Sequence, residues 1–310
     1  MAAPRALLIA GPTASGKTRL AVSVARRIGG EIVNADSMQV YADLAVLSAR
    51  PPPDEQEGVP HHLFGHVGGP EAYSAGRWLD EAMLVIRDIQ DRGRVPLVVG
   101  GTGLYFKALT DGLAETPDPG DAARSEARQY LEDHGVEALA RRAHELDPDA
   151  VAKVEAADTQ RLLRIVEVAA GTGMPLSRLQ ADTTPALAPD GWRGAVLMPD
   201  RDALNARIAA RSEAMLQSGA VEEVRVLRAR GLADDRPVMK ALGVRTISRL
   251  IDAEIDRDQT AERLTIETRQ YAKRQRTWFR NQTGDWPRLD PLASNAEESL
   301  IRALEQGEAE

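Results

Sequence analysis

Ala6-Leu7-Leu8-Ile9-Ala10-Gly11-Pro12-Thr13-Ala14-Ser15-Gly16-Lys17-Thr18 is the stretch whose reading decides the fold. The apolar run at its start reads as a buried strand. Gly11 to Thr18 fits G-x-x-x-x-G-K-[ST], and Leu20, Val24 and Ile28 follow at the i, i+4, i+8 spacing of an amphipathic helix. Strand, glycine turn and helix together form the context in which this motif holds phosphate. Backbone N–H groups turn inward as an anion nest, and the helix adds its positive N-terminal end. Gly11, Pro12, Thr13, Ala14, Ser15, Gly16, Lys17 and Thr18 are therefore candidate phosphate-binding residues, with Lys17 as a point charge and the Thr18 hydroxyl as a ligand for magnesium.

Outward from this stretch, Gly29-Gly30 ends the helix and Glu31 to Asp36 reads as a second strand. Residues 71–92 have a helical pattern, and Val95 to Val99 reads as a third strand running into Gly100-Gly101-Thr102-Gly103. Strand–helix–strand alternation implies a parallel sheet with ligands at the carboxyl ends of its strands. The expected fold is α/β, a P-loop NTPase-like parallel sheet flanked by helices. Thr116-Pro117-Asp118-Pro119-Gly120-Asp121 is a breaker cluster, and the sequence beyond it is helix-like until the apolar run Gly194 to Met198. Residues 116–192 read as a small helical insertion domain, with 1–115 and 193–310 as the catalytic core. From residue 201 the pattern is mostly helical, broken at Gly231 to Pro237 and around Gly284.

The chain has 310 residues, 43% hydrophobic and 28% charged, an ordinary globular composition. It has no cysteine, which excludes disulfide scaffolds, thiolate metal sites and cysteine nucleophiles. No apolar run approaches the ~18 residues of a membrane helix, and the short N-terminal apolar run leads straight into the glycine motif without a signal peptide's cleavage site. A cytoplasmic protein with no membrane partner is expected. The net charge of −8 argues against generic nucleic-acid binding, so any such contact must come from local basic patches. One patch is Lys273, Arg274, Arg276 and Arg280 around Trp278 and Phe279, a mixture of cations and aromatics that suits a phosphate backbone and an unstacked base, with the aromatics buried and the cations exposed.

What the phosphate loop holds is a separate question. ATP-binding hydrolases and kinases usually place a magnesium-binding acid at the end of another strand. Here the third strand ends in Gly100-Gly101, and Asp36 is the nearby strand-end acid. The two glycines imply close approach of a ligand or of backbone. Asp36 can anchor magnesium, act as a base or cap the next turn, and the residues alone leave the three open. A phosphate-bearing substrate follows more naturally than ATP hydrolysis. The adjacent His61-His62 pair reads as structural, since neighbouring histidines rarely make a metal site.

GPTASGKT at 11–18, DSMQVY at 36–41, VGGTGLY at 99–105, QRLLR at 160–164 and KRQRTWFR at 273–280 occur in that order. Together they resemble the tRNA dimethylallyltransferase (tRNA isopentenyltransferase) family, over residues 7 to 280. The resemblance implies transfer of a five-carbon allyl group from dimethylallyl diphosphate to N6 of the adenosine at tRNA position 37, beside the anticodon, with magnesium as cofactor and diphosphate released. It implies that Asp36 is the general base and that the phosphate loop grips the diphosphate. Arg211 matches a phosphate-facing arginine, and Thr102 a position at the reaction centre that also meets the tRNA. Asp36, Ser37, Met38 and Gln39, then Arg124, then Gln160, Arg161, Leu162, Leu163 and Arg164, then Lys273, Arg274, Arg276 and Arg280 match tRNA-contacting positions. The anticodon stem-loop is the implied partner, and a monomer is expected.

The chemistry accounts for these residue types. The adenine amine is a poor nucleophile that must lose a proton as the carbon–nitrogen bond forms, so a carboxylate within reach is required. The departing diphosphate requires preorganised positive charge. An adenylate isopentenyltransferase acting on free nucleotide, a P-loop small-molecule kinase and a non-catalytic tRNA-binding module are the alternatives. Of these, the nucleotide enzyme has no use for the insertion's Arg161 and Arg164 or for the C-terminal basic helix. The chain departs from the family pattern in three places. Leu47-Ser48-Ala49-Arg50-Pro51 stands where Gly-Thr-Ala-Lys-Pro is usual, Gly65 replaces an acid after the His-His pair, and Met174 replaces a lysine before Pro175.

Overall fold

In the computed structural model, which describes residues 5–114, 116–155, 158–181 and 183–306, strand β1 (Ala6–Ala10) is buried along its whole length near the centre of a sheet. The glycine turn leads into α1 (Lys17–Ile28), which buries Ala21, Val22, Val24 and Ala25. Then come β2 (Gly30–Asn34), the edge strand β3 (His61–His62), α2 (Ala75–Asp91), β4 (Val95–Gly100) and α3 (Gly103–Thr110). A helical segment follows, with α4 (Gly120–Leu146), α5 (Pro148–Val151), α6 (Thr159–Thr172) and α7 (Leu176–Leu179). The chain resumes with β5 (Trp192–Leu197), α8 (Arg201–Gln217), α9 (Ala220–Ala229), α10 (Val244–Ile251), α11 (Arg257–Gln282), β6 (Arg288–Leu289) and α12 (Ala296–Gln306).

The sheet order is β3-β2-β4-β1-β5-β6, and every pair is parallel. The register aligns Ala10 with Gly100 and Val196, so the carboxyl ends of the three central strands meet at the phosphate loop. This is the P-loop NTPase-like architecture, and it places that loop where ligands of open α/β sheets bind. Both faces are covered, as the continuous apolar runs require. Leu8, Val33, Val98 and Val196 pack with Trp78, Ile86, Phe106 and Phe279 on one side. Leu7, Ile9, Leu97 and Leu197 pack with Val22, Ala25, Leu300 and Leu304 on the other. Among the described residues no helix is long and apolar enough to cross a membrane.

The differences from the sequence reading have local causes. β2 stops at Asn34 instead of running to Asp36, because the Asn34 amide donates to Asp36 O and Leu63 O at 3.0 Å and accepts from Asp36 N at 2.9 Å. The side chain thus replaces the ladder and peels the backbone away. Helix α2 starts at Ala75, after Ser74 accepts from Arg77 N as its N-cap. Strands β3 and β6 have two residues each, too few to show an alternation.

The described residues fall into two compact units, one formed by the chain up to Thr110 and from Leu187 onward, the other by Asp111–Ala186. The helical unit is therefore displaced from the expected 116–192. Leu187 is buried in the sheet core, its N–H donates to Leu109 O at 2.9 Å, and Ala6 N donates to Gly191 O at 2.9 Å, which ties residues 187–192 to the sheet. The helical unit has its own core of Ala127, Leu139, Ala143, Leu162, Ile165 and Val168. Its long helix α4 breaks at Gly135 (φ 77°, ψ 174°). Buried Asp147 links two of its short helices by accepting from Ala150 N at 3.0 Å and Ser177 N at 2.7 Å.

Candidate active site at the carboxyl end of the sheet

The phosphate loop is closed by a residue that only glycine tolerates well. Gly16 caps α1 at φ 94°, in the left-handed region. Gly11, Pro12 and Ser15 are buried beneath the loop and shape it, whereas Thr13, Ala14, Gly16, Lys17 and Thr18 line a cavity of about 460 Å³. Lys17 Nζ donates to Pro12 O at 3.2 Å, folding the ammonium back over the loop. Burial holds the Lys17 pKa down to about 8, Asp36 opposes that shift and Arg211 adds to it. An arriving polyanion reverses this balance and keeps the ammonium charged.

Two arginines one turn apart on α8 complete the cradle. Arg211 Nη1 donates to Thr13 Oγ1 at 3.2 Å, and Arg207 Nε donates to Ala14 O at 2.8 Å. Burial lowers the Arg211 pKa, with Asp36 opposing and Arg207 reinforcing; a guanidinium stays charged regardless. Sequence reasoning singled out Arg211 and passed over Arg207, which the i, i+4 spacing puts on the same helix face.

Asp36 follows β2 and turns the chain, its Oδ1 accepting from Met38 N at 2.9 Å. The turn is held from β4: Thr102 N donates to Ala35 O at 3.1 Å and Thr102 Oγ1 accepts from Ser37 N at 3.0 Å. Thr102 thus stands behind Ser37 and fixes the loop. Gln39 is likewise committed internally, its Nε2 donating to Ser48 O at 2.9 Å and Ala49 O at 3.0 Å. Asp36, Thr13, Ser48 and Arg211 line both the phosphate cavity and an adjoining one of about 420 Å³, whose walls include Met38, Leu264, Tyr271 and Arg274. Both volumes are of small-ligand size. Burial, then the nearby Asp36 charge, raises the Tyr271 pKa, keeping the phenol neutral.

Helix α11 divides the predicted basic patch. Lys273, Arg274 and Arg280 are exposed, with Arg274 stacked 5.7 Å from the Tyr271 ring centroid. Arg276 is half-buried and donates one N–H to Pro199 O at 2.9 Å, which ties it to the loop before α8 and leaves its other donors uncommitted by that bond. Phe279 is buried in the core as expected, and Trp278 is half-buried. The residue missed entirely is Gln275, 5% exposed, which accepts from Thr13 N at 2.8 Å and donates to Gly101 O at 2.9 Å. Its signal was the i, i+4 series Tyr271, Gln275, Phe279, which puts an amide on the buried face.

The remaining candidates lie in the helical unit. Arg161 is exposed and pairs with Asp158 at 3.2 Å, while Arg124 pairs with Asp121 at 3.0 Å and with Asp118 at 2.5 Å. Arg164 lies close enough to Asp118 to lower that carboxyl's pKa, behind the larger effects of Gly120 N–H and Arg124. Gln160 is exposed. Leu162, 1% exposed, is a core residue of this unit and Leu163 packs against the same core, which corrects the expectation that Leu162 touches RNA.

For magnesium, the cavity offers hard oxygen donors, the Thr18 hydroxyl with the Asp36 and Glu55 carboxylates on its walls. Among the described residues no group of three or more His, Asp or Glu gathers into a protein cage. One hydroxyl and two carboxylates suit an ion that takes its remaining ligands from phosphate and water. His61 and His62 serve the edge strand: His61 Nδ1 bonds Val59 O at 2.8 Å and His62 Nε2 bonds Glu31 at 2.8 Å. The departures from the family pattern are accommodated locally. Leu47 is buried with Leu216 and Leu264, the Arg50 guanidinium fills the space beside Gly65, and Met174 faces solvent.

Comparison with known proteins agrees with this geometry. A family model described as IPP transferase matches residues 39–282, and one described as isopentenyl transferase matches residues 4–63. The chain is 50% identical over 295 residues to the tRNA dimethylallyltransferase of Maricaulis maris (strain MCS10), covering 95% of this chain and 96% of that protein. It is 51% identical over 286 residues to that of Phenylobacterium zucineum (strain HLK1), with 92% of each covered. A solved eukaryotic dimethylallyltransferase, described as acting on tRNA, is similar at TM-score 0.81 and 29% identity over 96% of this chain and 78% of that one. The full-length tRNA isopentenylpyrophosphate transferase from Bacillus halodurans is similar at TM-score 0.66 and 30% identity, covering 96% and 93%. With a family match across most of its length and half its residues shared with full-length relatives, this chain belongs to the tRNA dimethylallyltransferase (IPP transferase) family.

Proposed function

We propose that this chain transfers a dimethylallyl group from dimethylallyl diphosphate to N6 of adenosine 37 in the anticodon loop of tRNA. The observation that carries the reading is that Asp36 lies on the wall shared by two cavities, one framed by the phosphate loop and one where Met38, Leu47, Met215, Leu264 and Tyr271 form an apolar part beside polar and charged walls. The donor's diphosphate fits the first, gripped by Lys17, Arg211 and the loop N–H groups. The prenyl chain and the adenine meet at the second. As the nitrogen–carbon bond forms, the allylic carbon–oxygen bond breaks, the N6 proton passes to an Asp36 oxygen and the diphosphate takes the bonding pair. Magnesium, when bound at Thr18, supplies further positive charge for the leaving group.

The acceptor base must leave the anticodon stack to reach Asp36, so the RNA has to be held while one nucleotide is extruded. Lys273, Arg274 and Arg280 on α11 and Arg124, Arg161 and Arg164 on the helical unit are the cations available for its backbone. A monomer working in the cytoplasm, where tRNA is found, completes the reading. Mass spectrometry of an anticodon stem-loop RNA after incubation with the protein, magnesium and dimethylallyl diphosphate tests it. One added five-carbon unit on the adenosine is expected. Turnover with AMP and none with RNA would reverse the choice of acceptor.

A further inference from the structure

A buried amide, Gln275, links the two halves of this site. We propose that Gln275 is the positioning residue that locks the phosphate loop to the loop carrying Asp36, so that donor grip and proton acceptor keep a fixed relation; this rests on the transferase reading above. Its Oε1 accepts from Thr13 N at 2.8 Å and its Nε2 donates to Gly101 O at 2.9 Å. Thr13 is the loop residue whose hydroxyl accepts from Arg211. Gly101 precedes Thr102, which bonds Ala35 O through its N–H and Ser37 N through its hydroxyl, one residue to either side of Asp36. One planar side chain therefore connects the diphosphate cradle with the base's turn.

The position calls for an amide. It requires an acceptor toward an N–H and a donor toward a carbonyl, without charge, in a cradle already holding Lys17 and Arg211. A carboxylate lacks the donor, and lysine or arginine lacks the acceptor. The neighbouring backbone is cut to fit: a Cβ at Gly101 would stand 2.3 Å from Gln275 Nε2, and one at Gly100 would stand 2.0 Å from Ala35 O. The glycine pair that ends β4 is thereby explained by side-chain and backbone approach. Gln275 also faces away from the exposed Lys273, Arg274 and Arg280 on the same helix, because it shares the buried side of α11 with Ala272 and Phe279. Its loss should differ in kind from theirs, slowing the reaction instead of weakening RNA binding.

The test is Gln275→Met, which keeps the shape and removes both hydrogen bonds, with the wild-type protein first shown to prenylate an anticodon stem-loop. A displacement near 1 Å between grip and base costs about 10²-fold in rate, so kcat should fall by about that factor. The RNA Kd should stay within about threefold, and the rise in KM for dimethylallyl diphosphate should be smaller than the fall in kcat. Adding Thr102→Val should slow Gln275→Met by no more than about threefold, since both cut the same connection. Gln275→Glu, which stays polar, is the second variant if Gln275→Met fails to fold, and the same split is expected of it. A kcat within about threefold of wild type, a loss confined to RNA affinity, or fully multiplicative effects in the double variant would each overturn the proposal. An inactive wild type would instead remove the transferase reading beneath it.

Discussion

Glu31 and Asp36 belong to the same short stretch of chain, one near the start of β2 and the other just beyond its end, and they are treated in opposite ways. Glu31 is 1% exposed and fully matched. Arg92 reaches both its oxygens, His62 bonds it at 2.8 Å and Arg94 lies at 3.7 Å. The Arg92 hydrogen bonds, reinforced by His62, hold its carboxyl at about 2 despite burial. Around Asp36 the cations face neutral oxygens instead, Lys17 on Pro12 O and Arg211 on Thr13 Oγ1. The amino end of the sheet has its charges neutralised within the protein. The carboxyl end keeps two half-buried cations whose desolvation the single Asp36 carboxylate offsets only in part, which is the electrostatic mark of a ligand site.

Changing Asp36 should produce the largest effect. Asp36→Asn retains an oxygen to accept Met38 N–H, so the turn survives while the proposed base is lost. Turnover should fall by about 10²–10⁴-fold with donor binding nearly unchanged, as read by single-turnover prenyl transfer and by equilibrium binding of dimethylallyl diphosphate. A loss below tenfold would reduce Asp36 to a turn residue and erase the contrast with Glu31.

Lys17 sharpens the same contrast. Lys17→Met should weaken donor binding by about 10–10²-fold, the worth of a charged hydrogen bond, while raising the thermal stability of the free protein by about 1 kcal/mol, as removal of a functional-site strain does. The pH dependence has a definite sign. A lysine brought down from 10.5 to about 8 destabilises the free fold while protonated, so stability rises between pH 8 and 10.5. Donor affinity moves the other way, weakening by about tenfold per pH unit above 8 as the ammonium is lost. Calorimetry and binding across that range check both slopes.

At the matched end the expectation is stability without catalysis. Glu31→Gln should cost about 2 kcal/mol by removing charged hydrogen bonds, with kcat of the folded enzyme unchanged. Because the Glu31 pKa is depressed from 4.5 to about 2, its contribution is complete above 4.5 and disappears as pH falls through 2. The wild-type melting temperature should therefore lose its advantage over Glu31→Gln across that window. A fall in kcat would show that the two ends are coupled.

Much of this site was legible because its signals are local. An apolar run, a loop needing a left-handed Gly16 and a helix with a repeating apolar face leave a contiguous trace, and β1, the phosphate loop and α1 fall where that trace puts them. Asp36 was legible as an acid after a strand. The rest depends on partners distant in sequence. Gln275 meets Thr13 across 262 positions, and although the i, i+4 series Tyr271, Gln275, Phe279 puts it on the buried face of α11, nothing local names that partner. Strands β3 and β6 exist only because longer neighbours accept them, and the boundaries of the helical unit shifted because Leu187 docks on Leu109. Leu162 was assigned to RNA from its place in a motif, but its position within the α6 pattern makes it core.

The smallest expected effects lie at Arg161, which is exposed where Lys17 and Arg211 of the cradle are half-buried. Arg161 is already half-satisfied by Asp158 at 3.2 Å, so releasing it to a phosphate exchanges one ion pair for another. Arg161→Gln should accordingly weaken RNA binding by only about threefold, in keeping with exposed pairs, and reduce the salt slope by about 0.7 if one single-stranded phosphate contact is lost. The informative variant is its partner. Asp158 also caps α6, accepting from Arg161 N at 3.2 Å, and Asn preserves that cap. Asp158→Asn should thus leave the helix intact, free the guanidinium and tighten RNA binding by about two- to threefold at low salt, with the gain vanishing as salt rises. Weaker binding would mean that Asp158 itself meets the RNA, and no change at any ionic strength would mean that Arg161 never reaches a phosphate.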